Sequence, residues 1–213
     1  LKDRETFPLV FYRENCADMA LCAADIGEDF IASSKALLIT GTHFSTDGVY
    51  QASLQALAYA ERHGVKRVLD IDYRPVLWGL AGKADGQTRF VADQSVSQHL
   101  QGILPRFDLI VGTEEEFLIA GAGHDLLGAL RNVRQLTAAT LVVKLGAQGC
   151  TVIHGAIPAR LEDGAIYPGV QVEVLNVLGA GDAFMSGFLS GWLNDADDPR
   201  CCQLANACGA LVV

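Results

Sequence analysis

Asn176-Val177-Leu178-Gly179-Ala180-Gly181-Asp182 runs straight into Ala183-Phe184-Met185-Ser186-Gly187-Phe188, a helix built largely of small residues. Phe184, Phe188, Gly191 and Trp192 recur at helical spacing and define one buried face. The two glycines remove side chains where backbone N–H groups fan out at a helix N-terminus, a place suited to an anion such as a phosphoryl group. Asp182 in the first turn can accept a proton from a hydroxyl aimed at that group. Taken alone, the same residues also read as a turn followed by an ordinary helix cap.

Working outward, strand and helix patterns alternate. Phe7–Arg13, Ala36–Gly41, Arg67–Asp72, Asp108–Gly112, Thr140–Gly146, Cys150–His154 and Tyr167–Leu175 read as strands. Helical stretches are expected over Ser45–His63 (closed by Gly64), Ser95–Leu104, from Thr113, over Asp125–Leu136, over Ala180–Leu193 and from Pro199. That order is the signature of a mostly parallel sheet covered on both faces, an α/β fold. Ligands in such sheets bind beyond the C-terminal strand ends, where His43, Asp72, Tyr73, Arg74, Thr113, Glu114 and Lys144 fall.

Composition narrows the function. Of 213 residues 50% are hydrophobic and 19% charged, enough for a sizeable core. A formal net charge of −9 argues against nucleic acid or an anionic membrane as the main partner. The six cysteines form no Cys-x-x-Cys pair and no zinc-ligand spacing, and read as reduced thiols of a cytoplasmic protein. The charged opening Leu1-Lys2-Asp3-Arg4-Glu5 does not read as a signal peptide. No initiator Met is present and Leu204–Val213 reads as a helix stopped in mid-pattern, so part of a longer protein is expected. No Gly-x-x-x-x-Gly-Lys-Ser/Thr sequence occurs, so ATP chemistry would need another scaffold.

Asn176–Phe188 resembles the C-terminal signature of the ribokinase-like (PfkB) carbohydrate kinases. The resemblance implies a three-layer α/β/α sandwich, with residues 1–213 as one kinase core and residues 5–15 as a remnant of lid strands. It implies that Gly179, Ala180 and Gly181 form an anion hole, and that Asp182 deprotonates the sugar hydroxyl attacking ATP. Lys144-Leu145-Gly146-Ala147-Gln148-Gly149 resembles the family's glycine loop along the nucleotide, although a glycine-rich hairpin looks similar. Thr113-Glu114-Glu115-Glu116 resembles its Asn-x-x-Glu motif, with Glu116 in the outer shell of Mg²⁺ and Thr113 in place of Asn. Three glutamates in a first helical turn would also complement the helix dipole. Asn206 lies on the helix that borders the adenine site in relatives, or is simply a polar residue on a packed helix.

Asp70-Ile71-Asp72-Tyr73-Arg74-Pro75-Val76-Leu77-Trp78 resembles the family's Asp-x-Asn-x-Arg segment. It implies Arg74 and Asp72 as phosphate or substrate residues, while a structural pair of Arg74 with Asp70 or Asp72 remains the alternative. With Phe11–Asp18, where Arg13 and Asn15 are substrate-side candidates or an ordinary charged strand end, the segment is most similar to one branch. That branch phosphorylates 5-dehydro-2-deoxygluconate in inositol catabolism. Kinases of 2-dehydro-3-deoxygluconate, fructose or nucleosides stay open, as does a non-catalytic sugar sensor. ATP and a small sugar are the implied partners; relatives often form a homodimer through lid strands, and the oligomeric state stays open here. Asn176-Val177 replaces the Asp-Thr pair that helps many relatives bind a monovalent cation, so little K⁺ dependence is expected.

Overall fold

Apolar residues in both phases of a strand demand cover on both faces, and the sheet shows this directly. The structure, a computed structural model, describes residues 15–82, 88 and 90–213; Phe7–Arg13 and most of the expected lid segment lie outside these. Among the described residues, the strands are β1 (Ala36–Thr40), β2 (Lys66–Asp70), β3 (Leu109–Thr113), β4 (Thr140–Lys144), β5 (Cys150–Ile153) and β6 (Ile166–Tyr167). They pair in sequence order. β1 to β4 are parallel, and β5 and β6 each run antiparallel to the strand before them. The α-helices are α1 (Glu28–Ala32), α2 (Asp47–His63), α3 (Gln94–Ile103), α4 (Glu114–Gly121), α5 (Leu126–Leu136), α6 (Ala180–Trp192) and α7 (Asp198–Val212).

Right-handed crossovers between sequential neighbours put all the connecting helices on one face. Leu69, Ile110, Leu141 and Val143 accordingly pack with Leu57 of α2, Leu100 of α3, Phe117 of α4 and Leu130 of α5. The alternate residues Val68, Leu109, Val111 and Val142 pack on the other face with Phe184 and Phe188 of α6 and Cys202 of α7. Each such side chain, fully buried, stabilises the fold by about 1.5–3 kcal/mol. The result is the expected three-layer α/β/α sandwich. α6 and α7 lie close because Gly187 has no side chain: a Cβ there would come within 2.5 Å of the Leu204 carbonyl oxygen.

Helix ends follow the local chemistry. Asp93, Asp125 and Asp197 accept bonds from the first-turn N–H groups of α3, α5 and α7, and Gly64 closes α2 at φ +66°. One expectation needs correction. Tyr167–Leu175 is not a strand: pairing stops at Tyr167, and Pro168 to Leu175 is irregular. Pro168 has no N–H to give to a ladder, and Val170, Val172 and Val174 alternate without a partner strand, all exposed. Cys150, Cys201 and Cys202 are buried, whereas Cys22 is exposed, and all are free thiols. Among the described residues no helix is long and apolar enough to cross a membrane.

Candidate active site

The parallel register sets the site. Thr40 aligns with Asp70, Asp70 with Val111 and Thr113 with Lys144, so the C-terminal ends of β1 to β4 meet along one edge. Beyond that edge lies a cavity of about 790 Å³. Its lining includes the charged residues Asp70, Asp72, Arg74, Glu116, Lys144 and Asp182. It also includes the apolar residues Val170, Val172, Val174, Val177, Leu178, Phe184 and Val213. A space lined by both kinds suits a ligand that carries both phosphate and a flat ring.

Gly179 precedes α6 at φ +84°, a left-handed conformation that glycine adopts at no cost from a Cβ. The turn starts the helix at Ala180, leaving the N–H groups of Gly181 and Asp182 without acceptors in their own helix. The Ala180 N–H is occupied, donating to the Val177 carbonyl at 3.3 Å. Asp182 lines the cavity and is exposed, and its carboxylate makes no hydrogen bond or ion pair with the described residues. Ordinary capping therefore does not occupy it.

At the strand ends lies a buried ionic cluster. Lys144 Nζ donates to Asp70 Oδ1 at 3.0 Å and stands 3.8 Å from Glu116 Oε2. Asp70 is 5% exposed and Glu116 6%. Burial pushes the Asp70 carboxyl up to about 6, against the pull of Lys144. Burial disfavours the Lys144 ammonium, but the Asp70 and Glu116 charges outweigh it and hold the group above the usual lysine range. Glu116 also accepts the Thr113 N–H at 2.7 Å, while Thr113 Oγ1 accepts from the Glu116 N–H at 3.3 Å. Thr113 and Glu116 thus form a capping box for α4.

Arg74 Nη2 pairs with Asp72 Oδ1 at 2.7 Å. The structural pair foreseen for Arg74 is formed, and both residues still line the cavity. Asp72 takes φ +31°, a strained backbone of the sort that collects at functional sites. Gly146 and Gly149 line the cavity too. So does Asn206, whose Nδ2 donates to the Tyr167 and Pro168 carbonyls at 3.1 and 3.0 Å. Its amide ties α7 to the loop and leaves only Oδ1 for a ligand. Asn15 lies in an exposed turn and is not part of the cavity lining, and Arg13 lies outside the described residues. Sequence reasoning missed Asp70 and the apolar wall from Val170 to Leu178. Asp70 opens the Asp70–Trp78 segment, and the alternation of Val170, Val172 and Val174 imitates a strand.

The donors also bear on Mg²⁺. Among the described residues no three His, Cys, Asp or Glu side chains converge to hold a metal. The carboxylates of Asp70, Asp72, Glu116 and Asp182 in the lining do suit a hard cation held mainly by phosphates and water.

A glycine turn before a small-residue helix, at the C-terminal edge of a parallel sheet, makes an α/β protein with a place suited to an anion. Residues 2–213 match the pfkB family carbohydrate kinases, and the chain belongs to that family. It is 30% identical to 5-dehydro-2-deoxygluconokinase of Bacillus thuringiensis over 227 residues, which cover 100% of this chain and 60% of the relative. The chain thus spans about 60% of the length of the curated relatives it matches. A crystal structure of a PfkB protein from Polaromonas sp. superposes with a TM-score of 0.73 at 25% identity, covering 93% of this chain and 60% of that one. An E. coli protein assigned as ribokinase II, in complex with ATP and Mg²⁺, superposes with a TM-score of 0.79 at 21% identity, covering 96% and 60%.

Proposed function

We propose that the protein is a cytoplasmic kinase transferring the terminal phosphoryl group of ATP to a hydroxyl of a small sugar acid, 5-dehydro-2-deoxygluconate. The observation that carries this reading is the free Asp182 carboxylate in the first turn of α6, lining a cavity that Arg74 and Lys144 also line. Asp182 takes the proton of the attacking hydroxyl. The N–H groups of Gly181 and Asp182 and the Arg74 guanidinium stabilise the charge on the moving phosphoryl group. Glu116 would face Mg²⁺ through water, and the ion, when bound, supplies charge neutralisation for the diphosphate. The apolar wall from Val170 to Leu178 receives the adenine ring. The sugar acid is supported by the Asp70–Trp78 segment and by the name of the curated Bacillus relatives.

The test is Asp182→Asn in the full-length protein, followed by ADP release with a panel of sugars and sugar acids. Loss of the base lowers turnover by about 10²–10⁴. Retention within about tenfold sinks the base assignment. A faster rate on fructose, a nucleoside or 2-dehydro-3-deoxygluconate than on 5-dehydro-2-deoxygluconate sinks the substrate.

A further inference from the structure

Two short segments that lead away from the strand ends meet on one histidine of α3. The 3-10 turn Gly41–Phe44 follows β1, and a second, Pro75–Trp78, follows Arg74 beyond β2. Each comes with a cavity-lining residue, Thr42 within the first and Arg74 just ahead of the second, and each ends in an aromatic ring. Both rings pack on the imidazole of His99: the centroid of Phe44 lies at 6.4 Å and that of Trp78 at 5.5 Å, with Tyr50 of α2 at 4.4 Å. His99 Nε2 is buried without a hydrogen-bond partner among the described residues. Such a nitrogen is costly to bury. A phenylalanine ring would fill the same space without that cost, so packing alone does not account for a histidine here.

Burial holds the imidazole below the usual histidine range. The ionisable groups on the elements around it are Asp47 and Tyr50 at the start of α2, His43 on the first turn and the three glutamates that open α4. None of them shifts the ring, and α3 carries no other ionisable side chain. We propose that His99 is a positioning residue whose neutral ring holds the two turns at the spacing that seats Thr42 and Arg74 in the cavity, and whose protonation releases them. An imidazolium needs acceptors for both of its N–H groups, and the rings around Nε2 supply none. Protonation therefore displaces the ring, and Phe44 and Trp78 move with it. This rests on the kinase reading above and adds to it a residue outside the cavity lining on which the placing of Arg74 depends.

The experiment is steady-state kinetics of the full-length protein, His99→Phe and His99→Ala with ATP and the best sugar of the panel, from about pH 8 down to about 5, alongside tryptophan emission. His99→Ala is expected to lower kcat by about ten- to a hundredfold at about pH 8, the order that a small misplacement costs, with KM for ATP within about twofold. His99→Phe is expected to keep kcat within about threefold there and to lose the part of the acid fall that His99 causes in the wild type. An imidazolium quenches an indole beside it. Trp78 emission of the wild type is therefore expected to drop as pH falls, and that of His99→Phe to stay level. The other tryptophan, Trp192, lies on the opposite face of the sheet against Lys66. An acid fall in His99→Phe equal to that of the wild type, or quenching that survives the substitution, overturns the proposal alone. So does a folded His99→Ala with kcat within about twofold of the wild type. If His99→Ala fails to fold, the His99→Phe comparison carries the test. No turnover by the wild type with any sugar overturns the kinase reading as well.

Discussion

Two arginine–aspartate pairs of the same length sit at opposite edges of one sheet. Arg67 meets Asp108 at 2.7 Å where β2 and β3 begin, and Arg74 meets Asp72 at 2.7 Å beyond the end of β2. The first is a clamp. Asp108 accepts from Nε and Nη2 of Arg67 and from its backbone N–H, and Arg67 also reaches Glu61, which is held in turn by Arg106. The second joins residues two apart, on a strained backbone, against a cavity. Distance alone does not separate a pair that fastens strands from a pair available to a ligand. The surroundings of each pair do.

The largest expected effect breaks this symmetry outright. Arg74→Met lowers turnover by about 10²–10³, the usual loss when one charge-stabilising donor is removed. Arg67→Met leaves turnover within about twofold and lowers stability by about 1 kcal/mol, the upper end for a partly exposed pair. Steady-state kinetics beside chemical denaturation read both, and equal kinetic losses would erase the distinction between the edges.

A second contrast lies in pH. Asp70 is pushed by burial to about 6, above its ordinary 3.8. Its folded form binds protons more tightly than its unfolded form, so its contribution to stability is full below about 4 and is lost as pH rises through about 6. For Asp108, burial acts upward but the bonds from Arg67 outweigh it, and the carboxyl lies below its ordinary value. Its contribution is present above about 4 and lost as pH falls through its folded pKa. The melting temperature of Asp70→Asn minus wild type is therefore expected to rise between about pH 4 and 6.5. The same difference for Asp108→Asn is expected to fall between about pH 3 and 5. Slopes of the same sign would refute the contrast.

The smallest effect concerns Asn176, the neighbour of the cavity-lining Val177. Its Oδ1 accepts the Leu178 N–H at 2.9 Å, closing a local turn, and an amide is a poor ligand for a hard cation. Exchanging K⁺ for a bulky organic cation should change turnover by less than about twofold, and a fivefold loss would overturn that expectation.

Much of the fold was legible because its signals are local. The apolar runs at Ala36, Arg67, Asp108 and Thr140 became β1 to β4 within a residue or two, and Gly64 ended α2 as its left-handed preference requires. The site was legible where one segment carries it, as in Gly179–Asp182. It was not legible where it depends on register. Asp70 and Lys144 lie 74 residues apart, and only the alignment of Asp70 with Val111 and of Thr113 with Lys144 brings them together. Val170, Val172 and Val174 misled for a related reason. Alternation marks one apolar side of an extended chain, and it does not say whether that side meets a sheet or lines a cavity.

Strand order has a last consequence, for the order in which the molecule acquires its parts. Because β1 to β4 are joined by helices on one face, a chain emerging from its N-terminus can cover that face as it grows. Val68, Leu109, Val111 and Val142 stay bare until α6 and α7 arrive to cover them. The helix that hides this face is also the one that brings Asp182, so the proposed base and the closing of the greasy surface come in a single act. A chain interrupted before Gly179 would be adhesive and would lack the proposed base.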